Sequence, residues 1–225
     1  MRVTGLNQWT KNRTMDDNVY FAIKEKAKEA SRLNGACKNG YHDLLLADSM
    51  GKFCCLLGKY WNDVIGMHLS STLEILEEIY ETNKNDFNKH EIYYNENCAS
   101  GKVIVNGKSV AVTGNAIAWV YNHGVIQAKD RSVVHLYDTS EAHLSENASV
   151  FAYGKSTVNA MGFSSVRAAN NSKITLNGRV EAVCGEDCEV IAYRWRKITA
   201  SGNSKIYAGG RKNVILFDNA ILLNL

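Results

Sequence analysis

Apolar and polar positions repeat every eight residues from Val110 to the end of the chain, without insertion or deletion. Stepping by eight from Val110 passes Ala118, Ile126, Val134, Ala142, Val150, Val158, Val166 and onward to Val214 and Leu222, all apolar. A second row two places later, from Val112 and Val120 through Leu136, Leu144 and Cys184 to Ala208 and Leu216, is apolar throughout. Residues i and i+2 of an extended chain point to the same side, so each octad predicts one short strand with an inward face. Two places before the first row the residues are small (Ala116, Gly124, Ser132, Ser140, Ala148, Ser156, Ser164, Ser172), until Arg196 and Lys212 break the row. Two places after the second row comes a turn row: Gly114, Asn122, Asp130, Asp138, Glu146, Gly154, Gly162, Asn170, Gly178, Glu186, Arg194, Gly202, Gly210 and Asp218. Gly, Asn and Asp tolerate positive φ and make turns. Strand and turn alternating at fixed spacing is the signature of a β-solenoid.

The outward positions set the size of a coil. Tyr121, Tyr137 and Tyr153 are sixteen residues apart, as are Trp119, His135 and Phe151, whereas the intervening octads carry Lys129 and Ser145. Like residues stack on like from coil to coil at about 4.8 Å. Two octads, or sixteen residues, therefore make one coil, and residues 110–225 predict a flat solenoid of about seven coils, roughly 35 Å long. Val150 and Val166 should be neighbours, with Val158 on the opposite sheet.

Residues 1–92 do not repeat and predict an α-helical, capping domain ahead of a solenoid domain at 93–225; the fold class is α+β. Thr14 with Asp17 reads as a helix start, followed by Val19, Ile23, Ala27, Ala30 and Leu33 at helical spacing up to Asn34-Gly35. Asn39-Gly40 reads as a turn, and residues 42–68 as two helices broken near Gly51 or Gly58. Ser71 with Glu74 opens a further helix through Leu73, Leu76, Ile79 and Tyr80, and residues 84–91 read as a polar connector. A solenoid end exposes strand edges and core, and the helical region is the expected cover for the first coil.

Composition narrows the classes. The chain has no proline, as an uninterrupted ladder requires. No apolar run is long enough to span a membrane and the first residues do not read as a signal peptide. Six cysteines without regular framing point to reduced thiols and a cytoplasmic setting. Residues 1–100 carry 12 basic and 14 acidic residues, net −2, and residues 101–225 carry 14 and 9, net +5.

Candidate chemistry is sparse. No HxxxH or HExxH pair occurs, and His135 and His143 fall on opposite faces of a coil, so neither a metal nor a cofactor is expected. Cys184 and Cys188, in CGEDC, read as buried small residues; a redox or metal pair lacks a second cysteine pair at metal spacing. No phosphate-binding loop or nucleophile elbow is present. The chain reads as a non-enzyme. The most specific surface signal is the aromatic patch Trp119, Tyr121, His135, Tyr137, Phe151 and Tyr153, a candidate partner-binding face, unless the helical region covers it. A second column at the turn edge, Asn115, Arg131, Asn147, Phe163, Arg179, Trp195 and Arg211, flanked by Arg194, Arg196 and Lys212, interleaves cations with aromatics. It reads as a nucleic-acid edge or as a self-satisfied cation–π ladder.

Octads such as Ala148-Ser149-Val150-Phe151-Ala152-Tyr153-Gly154-Lys155 resemble the repeats of uncharacterised bacterial and phage solenoid proteins. The resemblance covers about 110–225 and implies fold only. Antifreeze solenoids need regular Thr rows, DNA-mimicking repeat proteins are acidic and hexapeptide acyltransferases have a six-residue repeat, none of which is present, and carbohydrate-cleaving β-helices have long coils with carboxylates on one face, whereas the coils here are short and carry few outward acids. The leading expectation is a non-enzymatic binding protein that presents a solenoid face to a protein partner. One version, resting on fold analogy, is a phage-encoded inhibitor of a host defence complex such as an anti-CRISPR protein. The runner-up is a nucleic-acid binder using the arginine-rich edge; a third reading is a self-assembling structural element. Leu222, Leu223 and Leu225 leave an apolar last coil, which predicts a homodimer through residues about 206–225.

Overall fold

The computed structural model describes residues 38–61 and 70–225, with Tyr20, Phe21, Lys24, Glu25, Ala27, Lys28, Glu29 and Arg32 as helical residues ahead of them. The chain divides into two compact units between His90 and Glu91.

After those helical residues the first unit holds α1 (Lys38–Leu46), α2 (Met50–Lys59) and α3 (Ser70–Lys89). The helix start at Thr14 and the stop at Asn34-Gly35 lie outside the described residues. The expected turn at Asn39-Gly40 is instead the first turn of α1, and the break falls at Ala47–Ser49, leaving Gly51 and Gly58 inside α2. Ser49 explains the position: extended at φ −152°, it accepts from Lys52 N–H at 3.4 Å and caps α2. Lys24, itself buried, donates to the carbonyls of Leu45 and Ala47, and the Tyr20 hydroxyl to Ala47 O at 2.7 Å. These donors satisfy carbonyls that the end of α1 leaves free. The polar connector expected at 84–91 is helical to Lys89, after a kink at Asn83 (φ −128°). Phe87 holds that last stretch in place, buried and edge-on to Tyr80 at 5.5 Å. Among the described residues no helix is long and apolar enough to cross a membrane.

The second unit is a parallel β-solenoid with two faces. Sheet A has nine strands, in the order β1 (Ile92–Tyr94), β2 (Lys102–Asn106), β4 (Ile117–Tyr121), β6 (Val133–Leu136), β8 (Ser149–Ala152), β10 (Ser165–Ala168), β12 (Glu181–Cys184), β14 (Lys197–Ala200) and β16 (Val214–Leu216). Sheet B has eight: β3 (Ser109–Val112), β5 (Val125–Ala128), β7 (Glu141–Leu144), β9 (Thr157–Gly162), β11 (Lys173–Gly178), β13 (Glu189–Arg194), β15 (Lys205–Ala208) and β17 (Ile221–Leu223). Val166 pairs with Val150, and Val158 lies on the other sheet, paired with Ile174 and Ala142. The ladder begins earlier than the octads do: Ile92 pairs with Lys102 and Lys102 with Ile117. Nine strands at about 4.8 Å make sheet A about 38 Å long.

Burial follows the rows. Every first-row residue from Val110 to Ile206 and every second-row residue from Val112 to Ala208 is buried, forming one core between the sheets. Burying each Val, Ile or Leu contributes about 1.5–3 kcal/mol. The inward serines are small enough for the bend and carry their own partner: Ser132, Ser164, Ser172 and Ser204 each donate to the carbonyl three residues back, at 2.7–2.8 Å. The turn row is left-handed at every position except Gly178, Arg194 and Gly210. Its side chains link the coils, because the residue sixteen places later accepts from the turn N–H: Asp130 from Gly114 at 2.8 Å, Asn170 from Gly154 at 3.2 Å and Asp218 from Gly202 at 3.2 Å. Gly178 is a glycine for another reason: a Cβ there would lie 2.6 Å from Gly162 N.

Arg196 and Lys212, which break the small row, are exposed rather than inward. A β-bulge explains Arg196. The β11–β13 register shifts after Leu176, so that Asn177 faces Arg194 and Tyr193 is the extra residue. Trp195 packs against the core instead.

Candidate interaction surfaces

The aromatic patch lies on the outward face of sheet A, where strand register brings its members together. Trp119 stacks on His135 at 5.4 Å and His135 on Phe151 at 5.0 Å, with rings within 8° of parallel. Tyr121 stacks on Tyr137 at 4.9 Å and Tyr137 on Tyr153 at 5.6 Å. The guanidinium of Arg167, next in the first column, sits 5.6 Å from the Phe151 ring centre. The coil pitch imposes this face-to-face stacking, so the rings turn their edges outward and their faces toward each other.

The patch is not uniformly accessible. Trp119 and Tyr121 are buried, at 6% and 8% exposure, His135, Tyr137 and Phe151 are half-buried, and Tyr153 is 39% exposed. Accessible aromatic surface therefore starts at the coil of His135. Burial pushes the Tyr121 phenol well above its usual range, and its hydroxyl has no hydrogen-bond partner among the described residues. Burial likewise raises Tyr137 and lowers His135, so His135 stays neutral in the stack at neutral pH.

Below the aromatic ladders the charge on the same face lies at Arg167 and, in the column that opens the strands, at Glu181 and Lys197. The two columns running His135, Phe151, Arg167, Val183, Thr199, Ile215 and Tyr137, Tyr153, Ala169, Gly185, Ser201, Phe217 hold one permanent cation, Arg167. Val183 is 51%, Ile215 41% and Phe217 55% exposed. Sheet B carries more charge in its own strand-opening column, which runs Glu141, Thr157, Lys173, Glu189, Lys205. On the same sheet His143 pairs with Glu141 at 3.0 Å.

The turn-edge column is brought together in its upper part and broken in its lower part. Arg179 stacks over Phe163 at 5.6 Å, and both are exposed. Arg131 is exposed two coils before Phe163. Trp195 leaves the column at the bulge and spends its Nε1–H on Lys212 O at 3.0 Å. Arg194, Arg196, Arg211 and Lys212 are exposed, and only Arg196 has a carboxylate, Glu181 at 3.1 Å, among the ion pairs of the described residues. Sequence reasoning missed Met161 and Tyr193, which are 48% and 58% exposed on this edge. Tyr193 is a bulge residue, which octad counting does not reveal.

Cys184 and Cys188 are both buried free thiols, and burial raises both, Cys188 to about 11. At neutral pH they are thiols and poor nucleophiles. Cys37 lies outside the described residues. Among the described residues no group of three or more His, Cys, Asp or Glu side chains could hold a metal ion. At the last coil, Leu222 packs against the core, Leu223 is half-buried, and Ile221 and Leu225 are 44% and 58% exposed. Comparison with known proteins finds no matching family model, no similar curated protein and no similar solved structure.

Proposed function

We propose that this chain is a non-enzymatic binding protein whose outward sheet-A face, from His135 and Tyr137 downward, docks a protein partner. The observation behind this reading is the pairing of rigidity with exposed apolar side chains. A ladder of parallel strands fixes the face, and it presents exposed Tyr153, Val183, Ile215 and Phe217, with Arg167 in the column of Phe151 and with Glu181 and Lys197 confined to the column that opens the strands. Exposed apolar area of this kind, with aromatic anchors, marks interfaces. The test is a pull-down from the native host, read by mass spectrometry, with two variants. Phe151→Asp with Tyr153→Asp should lose a partner that the wild type and Thr175→Asp, on sheet B, both capture. Equal capture by all three would refute the reading.

Self-association through residues about 206–225 belongs to the same proposal. Strands β16 and β17 each pair on one side only within the described residues, and Ile221, Phe217 and Leu225 are exposed beside them. A second copy meeting this end across a two-fold axis would cover both the edges and the apolar side chains.

A further inference from the structure

The edge on which sheet A and sheet B meet at Phe163, Arg179 and Tyr193 has a chemistry different from the sheet-A face. Four successive coils contribute Met161-Gly162-Phe163, Asn177-Gly178-Arg179, Tyr193-Arg194-Trp195-Arg196-Lys197 and Gly210-Arg211-Lys212. Arg179, Arg194, Arg196, Lys197, Arg211 and Lys212 are all exposed, and Glu181 is the one acid beside them, bound to Arg196 at 3.1 Å. At about 4.8 Å per coil the strip is about 14 Å long, so cations of one sign stand one coil apart with almost no internal neutralisation. That arrangement is costly unless an anion of matching repeat lies along it.

Two further observations identify the kind of anion. The fold inserts a β-bulge here, and its extra residue, Tyr193, points out at 58% exposure. Bulges re-aim side chains in this way. Phe163, 60% exposed, has Arg179 over one face. Unlike the rings of the sheet-A ladders, Phe163 and Tyr193 have no aromatic partner among the described ring contacts. The glycine pair Gly162 and Gly178 keeps the ground between them flat, because a Cβ on Gly178 would run into the Gly162 backbone at 2.6 Å. Isolated exposed rings among cations are what a single-stranded nucleic acid uses: bases stack on the rings and phosphates sit on the guanidinium groups. A duplex keeps its base faces covered and would leave the rings unused.

We infer that this edge binds a single-stranded nucleic acid, independently of the protein-docking face. Fluorescence anisotropy with labelled twelve-nucleotide oligo(dT) and oligo(U), a duplex of equal length and a heparin fragment tests this. Expected is binding to the single strands at low salt, tighter than to duplex or heparin, with log K falling linearly in log salt. Arg194→Gln with Arg211→Gln should flatten that slope by about 1.4, at about 0.7 for each phosphate of a single strand that is no longer neutralised. Phe163→Ala with Tyr193→Ala should weaken binding at least tenfold while leaving the slope in place, on the order of one stacked base per ring. All four positions are exposed, and unchanged thermal melts confirm that each variant is folded. No binding at low salt overturns the inference. So does heparin or duplex binding as tight as the single strands together with indifference to the Phe163 and Tyr193 changes, because then only net charge is at work.

Discussion

Val158→Asp tests the inward assignment most severely. Val158 is fully buried on β9, between Ala142 and Ile174 in the ladder. The substitution removes a valine worth about 1.5–3 kcal/mol of burial. No cation lies in this core, so the new carboxyl is kept only if it stays protonated. Holding an acid of ordinary pKa near 3.9 neutral at pH 7 costs about 3 units at 1.36 kcal/mol each, roughly 4 kcal/mol. A neutral carboxyl without its hydrogen bonds adds about 1–3 kcal/mol. Together these come to about 7–10 kcal/mol, against a total of about 5–15 kcal/mol for an ordinary domain. The coils around Val158 should therefore open at room temperature. The assay is thermal and urea unfolding by far-UV circular dichroism, beside Val158→Ala. The pH dependence supplies a second signature. The folded pKa of the introduced acid is raised, so the native state holds the proton longer, and the deficit relative to wild type should shrink by up to about 4 kcal/mol between pH 7 and pH 4. A melting temperature near that of wild type, or a deficit that does not depend on pH, would show that position 158 faces water.

Gly162→Ala should destabilise by more than about 1–2 kcal/mol, because Gly162 sits at φ +70° and its Cβ would lie 2.7 Å from Glu146 N; a two-state urea titration measures it, and a neutral result would contradict the turn geometry. His135 should make stability pH-dependent. Its folded pKa is lowered by burial, so the unfolded state binds more protons in the window below about 6.5. Stability should be full above that pH and decline as pH falls through the folded value, and His135→Phe should remove this component from a series of melts between pH 7.5 and pH 5; an unaltered profile would count against burial of the ring. Leu223→Lys with Leu225→Lys should convert a dimer to monomer or aggregate by light scattering, and a wild type that stays monomeric at high micromolar concentration rules the dimer out.

The solenoid was legible because its constraints recur. An inward position must be apolar in every coil and a left-handed turn position must suit positive φ, so independent rows repeat the same message. Where one residue is added or lost, the octad frame misleads. Lys102 pairs with Ile117 across fifteen residues, which puts Val103 and Val105 inward, one place out of phase with the rows. The bulge at Tyr193 sends Arg196 outward although the row places it inward. In the helical region Asn39-Gly40 and the stretch from Asn85 to Lys89 carry weak helix formers, and local preference alone reads them as turn and connector. Tertiary contacts decided otherwise: Phe87 is buried against Tyr80, a pairing that spans the kink. Membership of the aromatic patch was legible from the sixteen-residue spacing, but the burial of Trp119 and Tyr121 was not, since spacing reports which side of a strand a residue occupies and not what lies above it.

The same spacing also separates the two surfaces by what their aromatic rings can do. Rings sixteen residues apart stack at 4.9–5.6 Å, which leaves no gap for a third ring between them. Within the sheet-A ladders the rings can therefore be touched on their edges and phenol groups, and of the accessible rings only the terminal Tyr153, followed by Ala169 in its column, keeps one face clear of a ring or guanidinium. Edge contact suits a protein surface, with its apolar side chains and carbonyl groups, and does not suit a base or a sugar that needs an open face. Phe163 and Tyr193 have no aromatic residue sixteen places before or after them. Their faces are covered by at most a guanidinium, as at Arg179 over Phe163. In a solenoid of this pitch, an aromatic residue that repeats coil after coil builds a stiff wall, and one that stands alone among cations is left free to stack on a ligand.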